Sequence, residues 1–140
     1  MRAPASFDYA VVRVVPRVER EEFVNVGAIV FCPDHDFLAS AIELDVARLT
    51  CLFPDVDVEL VRQHLEALRL VCAGGAGAGP IGLLPLRERW HWLVAPRSTI
   101  IQTSAPHVGL CDDPAKALER LLDANVRPPG RPIAGSASSA

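Results

Sequence analysis

The residues best placed to do chemistry are in Pro96-Arg97-Ser98-Thr99-Ile100-Ile101-Gln102. One arginine and two hydroxyls enter an apolar run straight after a proline turn, with Gln102 three residues beyond Thr99. A guanidinium offers a planar fork for an oxyanion, and hydroxyls with local backbone N–H groups can complete such a cradle. His107, in Ser104-Ala105-Pro106-His107, is placed to lie across the same edge. Arg13 sits within the apolar run Phe7–Val15 and Asn25 within the next one, beside Gly27; if buried, each needs a partner. Glu19, Glu21 and Glu22 lie between those two runs, where they could supply an acid/base pair or a Mg²⁺ ligand. The plainer reading is a solvated connection partly neutralised by Arg17 and Arg20. In the same plain reading, Arg13 and Arg97 pair with Glu21, Glu22 or Glu43 and tie strands together.

Other constellations are weaker. Cys32, Asp34, His35 and Asp36 are metal-donor types, but successive residues of a tight turn splay apart, and zinc needs convergent ligands. No metal and no cofactor is expected. Ser98, Thr99 and Ser104 near His91 and His107 could form a hydroxyl–imidazole pair, yet the chain has no Gly-x-Ser-x-Gly elbow. The Gly-rich Ala73–Pro80 lacks the phosphate-binding pattern and reads as a flexible linker. Trp90 and Trp92 flank His91, and core aromatics with one exposed Trp are favoured there over base stacking.

The elements that position these residues follow from periodicity. Phe7–Val15 and Phe23–Phe31 read as strands apolar on both faces, which requires cover on both sides. Gly27 within the second marks a bulge or a close backbone approach. A short turn joins it to a third strand, Phe37–Leu44, as an antiparallel hairpin. Asp45 caps a short helix that Pro54 stops, and Asp55 is the expected cap of a longer helix ended by Gly74. That helix buries Val61, Leu65, Leu68 and Cys72. Leu86–Ala95 leans to helix, Ser98–Thr103 reads as a strand, and Asp113-Pro114 opens a last helix to about Ala124. The fold class is therefore α+β: an antiparallel or mixed sheet of about four strands with helices packed on it. The organisation is a flexible 1–6, one domain over 7–126, and a disordered Pro/Gly/Ser/Ala tail over 127–140.

Composition bounds the function. At 140 residues, half of them apolar and 22% charged, the chain is one domain with a core of its own. A net charge of −3 argues against broad capture of nucleic acid or an acidic membrane. The basic residues are thirteen Arg and one Lys, Lys116, a bias first ascribed to codon usage. Four well-separated cysteines, Cys32, Cys51, Cys72 and Cys111, without a signal-peptide pattern, lead to the expectation of a cytoplasmic protein with free thiols. The longest charge-free stretch, Leu70–Leu86, is broken by five glycines and two prolines, and no membrane span is expected.

The segments Tyr9–Phe31, Gly79–Gly82 and Glu88–Leu110 resemble the bacterial family of domains of unknown function 3037 (DUF3037), over about Phe7–Ala124. Ala105 stands where the family's pattern has Pro. The resemblance implies a small bacterial domain without an established activity, often encoded beside a HipA-like kinase that is then a candidate partner. It also implies that Arg13, Glu21, Glu22, Asn25, Gly27, Arg97, Ser98, Thr99, Gln102 and His107 share one functional surface. Two readings follow. In the first the chain is a non-enzymatic interaction or regulatory module, with an apolar patch around Trp90 or Trp92. In the second it recognises phosphate on a nucleotide or nucleic acid through Arg97, Ser98 and Thr99, with Arg13 assisting and Glu21 or Glu22 as base or metal ligand.

Overall fold

The β-branched run near the N-terminus becomes the central strand of the sheet. In the computed structural model, which describes residues 3–129, β1 spans Ala5–Val14 and pairs antiparallel with β2, Val24–Cys32. A 3₁₀ turn, Pro33–His35, closed by Asp36 in the left-handed region, leads to β3, Phe37–Ile42, on the far side of β2. After α1 (Val46–Leu52), α2 (Val58–Ala73) and α3 (Leu86–Val94), two short strands return. These are β4, Ile101–Thr103, and β5, His107–Cys111; both pair antiparallel with β1, on the side away from β2. The chain closes with α4, Pro114–Asn125. The sheet is thus wholly antiparallel with five strands, where the sequence suggested about four, and β1 starts at Ala5 rather than Phe7.

Both faces of β1 and β2 are covered, which is why these strands are apolar on both sides. One face joins Ala10, Val12, Val14, Ile29 and Phe31 to Leu49 of α1, Val61 and Leu65 of α2, and Trp90 and Leu93 of α3. The other packs Ala5, Phe7, Ala28, Val30, Cys32 and Cys111 against Ala117 and Leu118 of α4. On β2 the residues facing the first layer are Val24 and Val26, then Ile29 and Phe31, so the alternation changes parity. The cause is a bulge: Val12 lies opposite Gly27 and Arg13 opposite Asn25, leaving Val26 without a partner. That extra residue turns Asn25 onto the α4 side of the sheet, beside Arg13.

The helix ends follow local chemistry with one shift from expectation. Asp57, not Asp55, caps α2, its carboxylate accepting from the Leu60 N–H at 3.0 Å. Asp45 caps α1 and Asp113 caps α4, as their positions predicted. The glycine-rich stretch is not a loose linker. Ala76–Leu83 forms short 3₁₀ turns, with Gly75 N–H donating to Gly82 O at 2.8 Å and Ala78 and Ile81 packed on the core. Arg89 of α3 fastens the end of α2 by donating to the carbonyls of Val71 and Cys72, both at 2.8 Å. Gly74 is required there: its φ is +80°, and a Cβ would stand 2.9 Å from the Arg89 guanidinium.

Arg127, assigned from sequence to the tail, is instead a clasp. Its guanidinium donates to Glu43 at 2.9 and 2.6 Å, and to Glu119 and Asp123 at 2.6 Å each, tying the end of α4 to the segment after β3. Three carboxylates hold this guanidinium's pKa above its ordinary value. The tail beyond Pro129, and Met1 with Arg2, lie outside the described residues.

Burial also shapes one thiol. Desolvation pushes Cys72 from the ordinary 9.0 up to about 11, against smaller opposing effects of Ser40 and Arg89. An unfolded thiol ionises near 9.0 while the folded one keeps its proton, so the stabilisation present at neutral pH is lost as pH rises towards 11. Urea unfolding is expected to show a fall of about 2–3 kcal/mol across that window, of which the Cys72→Ala variant retains only a minor part. Equal slopes in the two proteins would contradict this assignment.

Candidate functional site

The bulge assembles a polar row across the sheet. Arg13 on β1 lies opposite Asn25 of β2 on one side and Gln102 of β4 on the other. The Arg13 guanidinium sits 3.9 Å above the ring of Phe23, the residue that leads into β2. Its Nε is buried without a hydrogen-bond partner, and no carboxylate pairs with it among the described residues. Desolvation lowers its pKa from the ordinary value. Asn25 does not relieve it: the amide nitrogen donates to the carbonyl of Asn125 at 3.0 Å, and Oδ1 is likewise buried and unpartnered.

A groove of about 480 Å³ opens on this row, lined by Arg13, Glu19, Glu21, Phe23, Ser98 and Gln102. Glu21 reaches it because the chain leaves the 3₁₀ turn Val18–Arg20 through a left-handed conformation at Glu21, φ 54°. Four of the residues expected on one surface, Arg13, Glu21, Ser98 and Gln102, therefore share the groove, and Asn25 adjoins Arg13 on the sheet.

The remaining candidates lie elsewhere. Glu22 pairs with Arg20 at 2.6 Å, which holds its carboxyl below the usual range, and it lines a different, larger hollow of about 680 Å³. Arg97 folds back on α3, donating to the Trp92 carbonyl with its guanidinium 4.5 Å over the Trp92 ring. Thr99 donates to the Ile101 carbonyl at 2.7 Å, and Gln102 donates to that of Thr99 at 3.0 Å. These side chain to backbone bonds close the 97–102 loop on itself, which is why β4 is shorter than the strand expected over Ser98–Thr103. Arg97 and Thr99 border a small hollow against α2, with His64, while Ser98 faces the Arg13 groove. His107 lies opposite Tyr9, ring centroids 5.3 Å apart, about 13 Å along β1 from Arg13. The interstrand ion pairs proposed for Arg13 and Arg97 are not formed; Glu43 is held by Arg127.

Two features escaped the sequence reading. Phe23, the platform under Arg13, looked like one more strand residue. Strand β5 was missed because Pro106 and Gly109 break the run, although Val108 and Leu110 alternate as a strand should. Those two side chains, 71% and 69% exposed, face solvent on the edge of the sheet. At the tryptophans, Trp90 is buried, while Trp92 is exposed with the Arg97 guanidinium over its ring.

Among the described residues, no cluster of three or more His, Cys, Asp or Glu side chains is arranged to hold a metal ion. No helix among them is long and apolar enough to cross a membrane. No curated protein and no solved structure matches the chain. A family model described as protein of unknown function (DUF3037) matches residues 9–126, which include β2, β3 and the whole Arg13 groove, and the chain belongs to that family.

Proposed function

We propose that this chain is an interaction module that engages a partner protein by adding one of the partner's strands to its β5 edge. The observation that carries this reading is the pair Val108 and Leu110. Both project from the same face of an edge strand that, among the described residues, is bonded to β1 on one side only. An open edge strand presents free backbone donors and acceptors, and monomeric proteins ordinarily blunt such edges with charge or proline. Here the only flanking devices are Pro106 before the strand and Asp112 after it. Strand addition would satisfy the backbone while the two side chains seat in the partner.

The HipA-like kinase implied by the family resemblance is the first partner to test. Co-expression of the two proteins is expected to yield a stable complex on size-exclusion chromatography. Val108→Glu with Leu110→Glu should abolish it, while changing the melting temperature by only a few degrees, since both side chains are exposed. Arg97→Ala should leave the complex intact. A complex that survives the double substitution would place the interface elsewhere, and failure of the wild-type pair to associate would exclude this kinase as the partner.

A further inference from the structure

We propose that the Arg13 groove is a binding site for a small zwitterion, an α-amino acid or short peptide, separate from the β5 edge. The groove lies on the α4 side of the sheet, whereas Val108, opposite Asp8, points to the other side about 17 Å along β1. Three observations define the ligand. First, Arg13 has a buried Nε without a partner, a costly state for a donor of a charged group. Phe23 holds the guanidinium from beneath, 3.9 Å from its ring centroid, and the shape of a guanidinium matches a planar, bidentate acceptor, which a carboxylate is.

Second, the charge of the lining selects among anions. Glu19 and Glu21 border the same groove as Arg13, one positive charge against two negative. A phosphate dianion would meet Arg13 only in the field of both carboxylates. A ligand carrying an ammonium beside its carboxylate meets complementary charge at both ends. Third, Phe23 and Val18 line the same groove, giving an apolar side chain a surface to cover. The carboxylate then lies on Arg13, the ammonium towards Glu19 and Glu21, and Ser98 and Gln102 line the groove as neutral hydrogen-bonding groups.

The test uses the full chain and four probes: phenylalanine, 3-phenylpropionate, phenethylamine and inorganic phosphate. Binding is followed by the ¹⁵N shift of the Arg13 Nε–H group and by calorimetry. Phenylalanine is expected to move that signal and to bind about ten-fold or more tightly than either half-molecule, each of which lacks one charged group. Arg13→Gln should remove phenylalanine binding. Glu19→Gln with Glu21→Gln, at two exposed positions, should erase the preference of phenylalanine over 3-phenylpropionate while the fold melts as before. Tightest binding by phosphate, binding indifferent to Arg13→Gln, or no shift with any probe at about 20 mM would each overturn the assignment.

Discussion

Replacing Trp90 with alanine is expected to destabilise the fold by about 3–5 kcal/mol, the range for truncating a fully buried aromatic. Trp90 is 2% exposed and stacks on Phe31, ring centroids 5.7 Å apart, where α3 meets the sheet. Its removal deletes both the transfer energy of a large aromatic and its packing with a second one, and leaves a cavity that rigid strands cannot close. For a domain of this size the melting temperature should fall by about 10–20 °C. Trp92, two residues on, is the internal control. It is 38% exposed and held mainly by the Arg97 guanidinium, so Trp92→Ala should cost only about 1 kcal/mol. Chemical denaturation of the two variants measures both values, and a loss at Trp92 equal to that at Trp90 would refute this description of the core.

Gly27→Ala should be nearly as damaging, by about 3 kcal/mol, although it adds a single methyl group. A Cβ at Gly27 would stand 2.5 Å from the Ala41 carbonyl oxygen and 2.5 Å from the Ile42 Cδ1 atom. The isoleucine methyl can rotate away. The carbonyl cannot, because it belongs to β3, which pairs with β2 along this whole segment. Relief would have to come from moving β3 or from losing the bulge, and either change disturbs the Arg13–Asn25 row. The variant should therefore lose phenylalanine binding together with stability. Gly77→Ala, where a Cβ would meet nothing within 4 Å, should stay within about 0.5 kcal/mol of the parent. A Gly27→Ala protein as stable as the parent would show that β2 and β3 do not approach this closely.

The consequence for the site is that one backbone irregularity organises it. Without the unpaired Val26, Arg13 would face a hydrophobic side chain of β2 rather than Asn25. The β1–β2 connection performs the complementary task. Its 3₁₀ turn and the left-handed Glu21 bring carboxylates over the same face that carries the guanidinium, without letting them pair with it.

Much of this was readable from residue order alone. The doubly apolar runs of β1 and β2 required two covering layers, and the spacing of Val61, Leu65, Leu68 and Cys72 marked the buried stripe of α2. Asp113-Pro114 announced α4, and Gly27 announced a close approach. Such features are local: they depend on periodicity, on caps and on the absence of a Cβ, which a chain carries wherever it folds. That Arg13 and Asn25 were polar groups in strands, in need of partners, was equally plain.

What lay beyond the sequence was where distant segments meet. Arg97, Ser98 and Thr99 are consecutive, yet side chain to backbone bonds fold Arg97 onto α3 and Thr99 onto β4 and leave Ser98 facing Arg13. Arg127 looked like the start of a tail until three carboxylates, one of them 84 positions away, converged on it. The short β5 had too weak a pattern to stand alone and exists because β1 offers it an edge. In each case the deciding energy is a contact between residues far apart in sequence, and only the tertiary structure sets which of those contacts form.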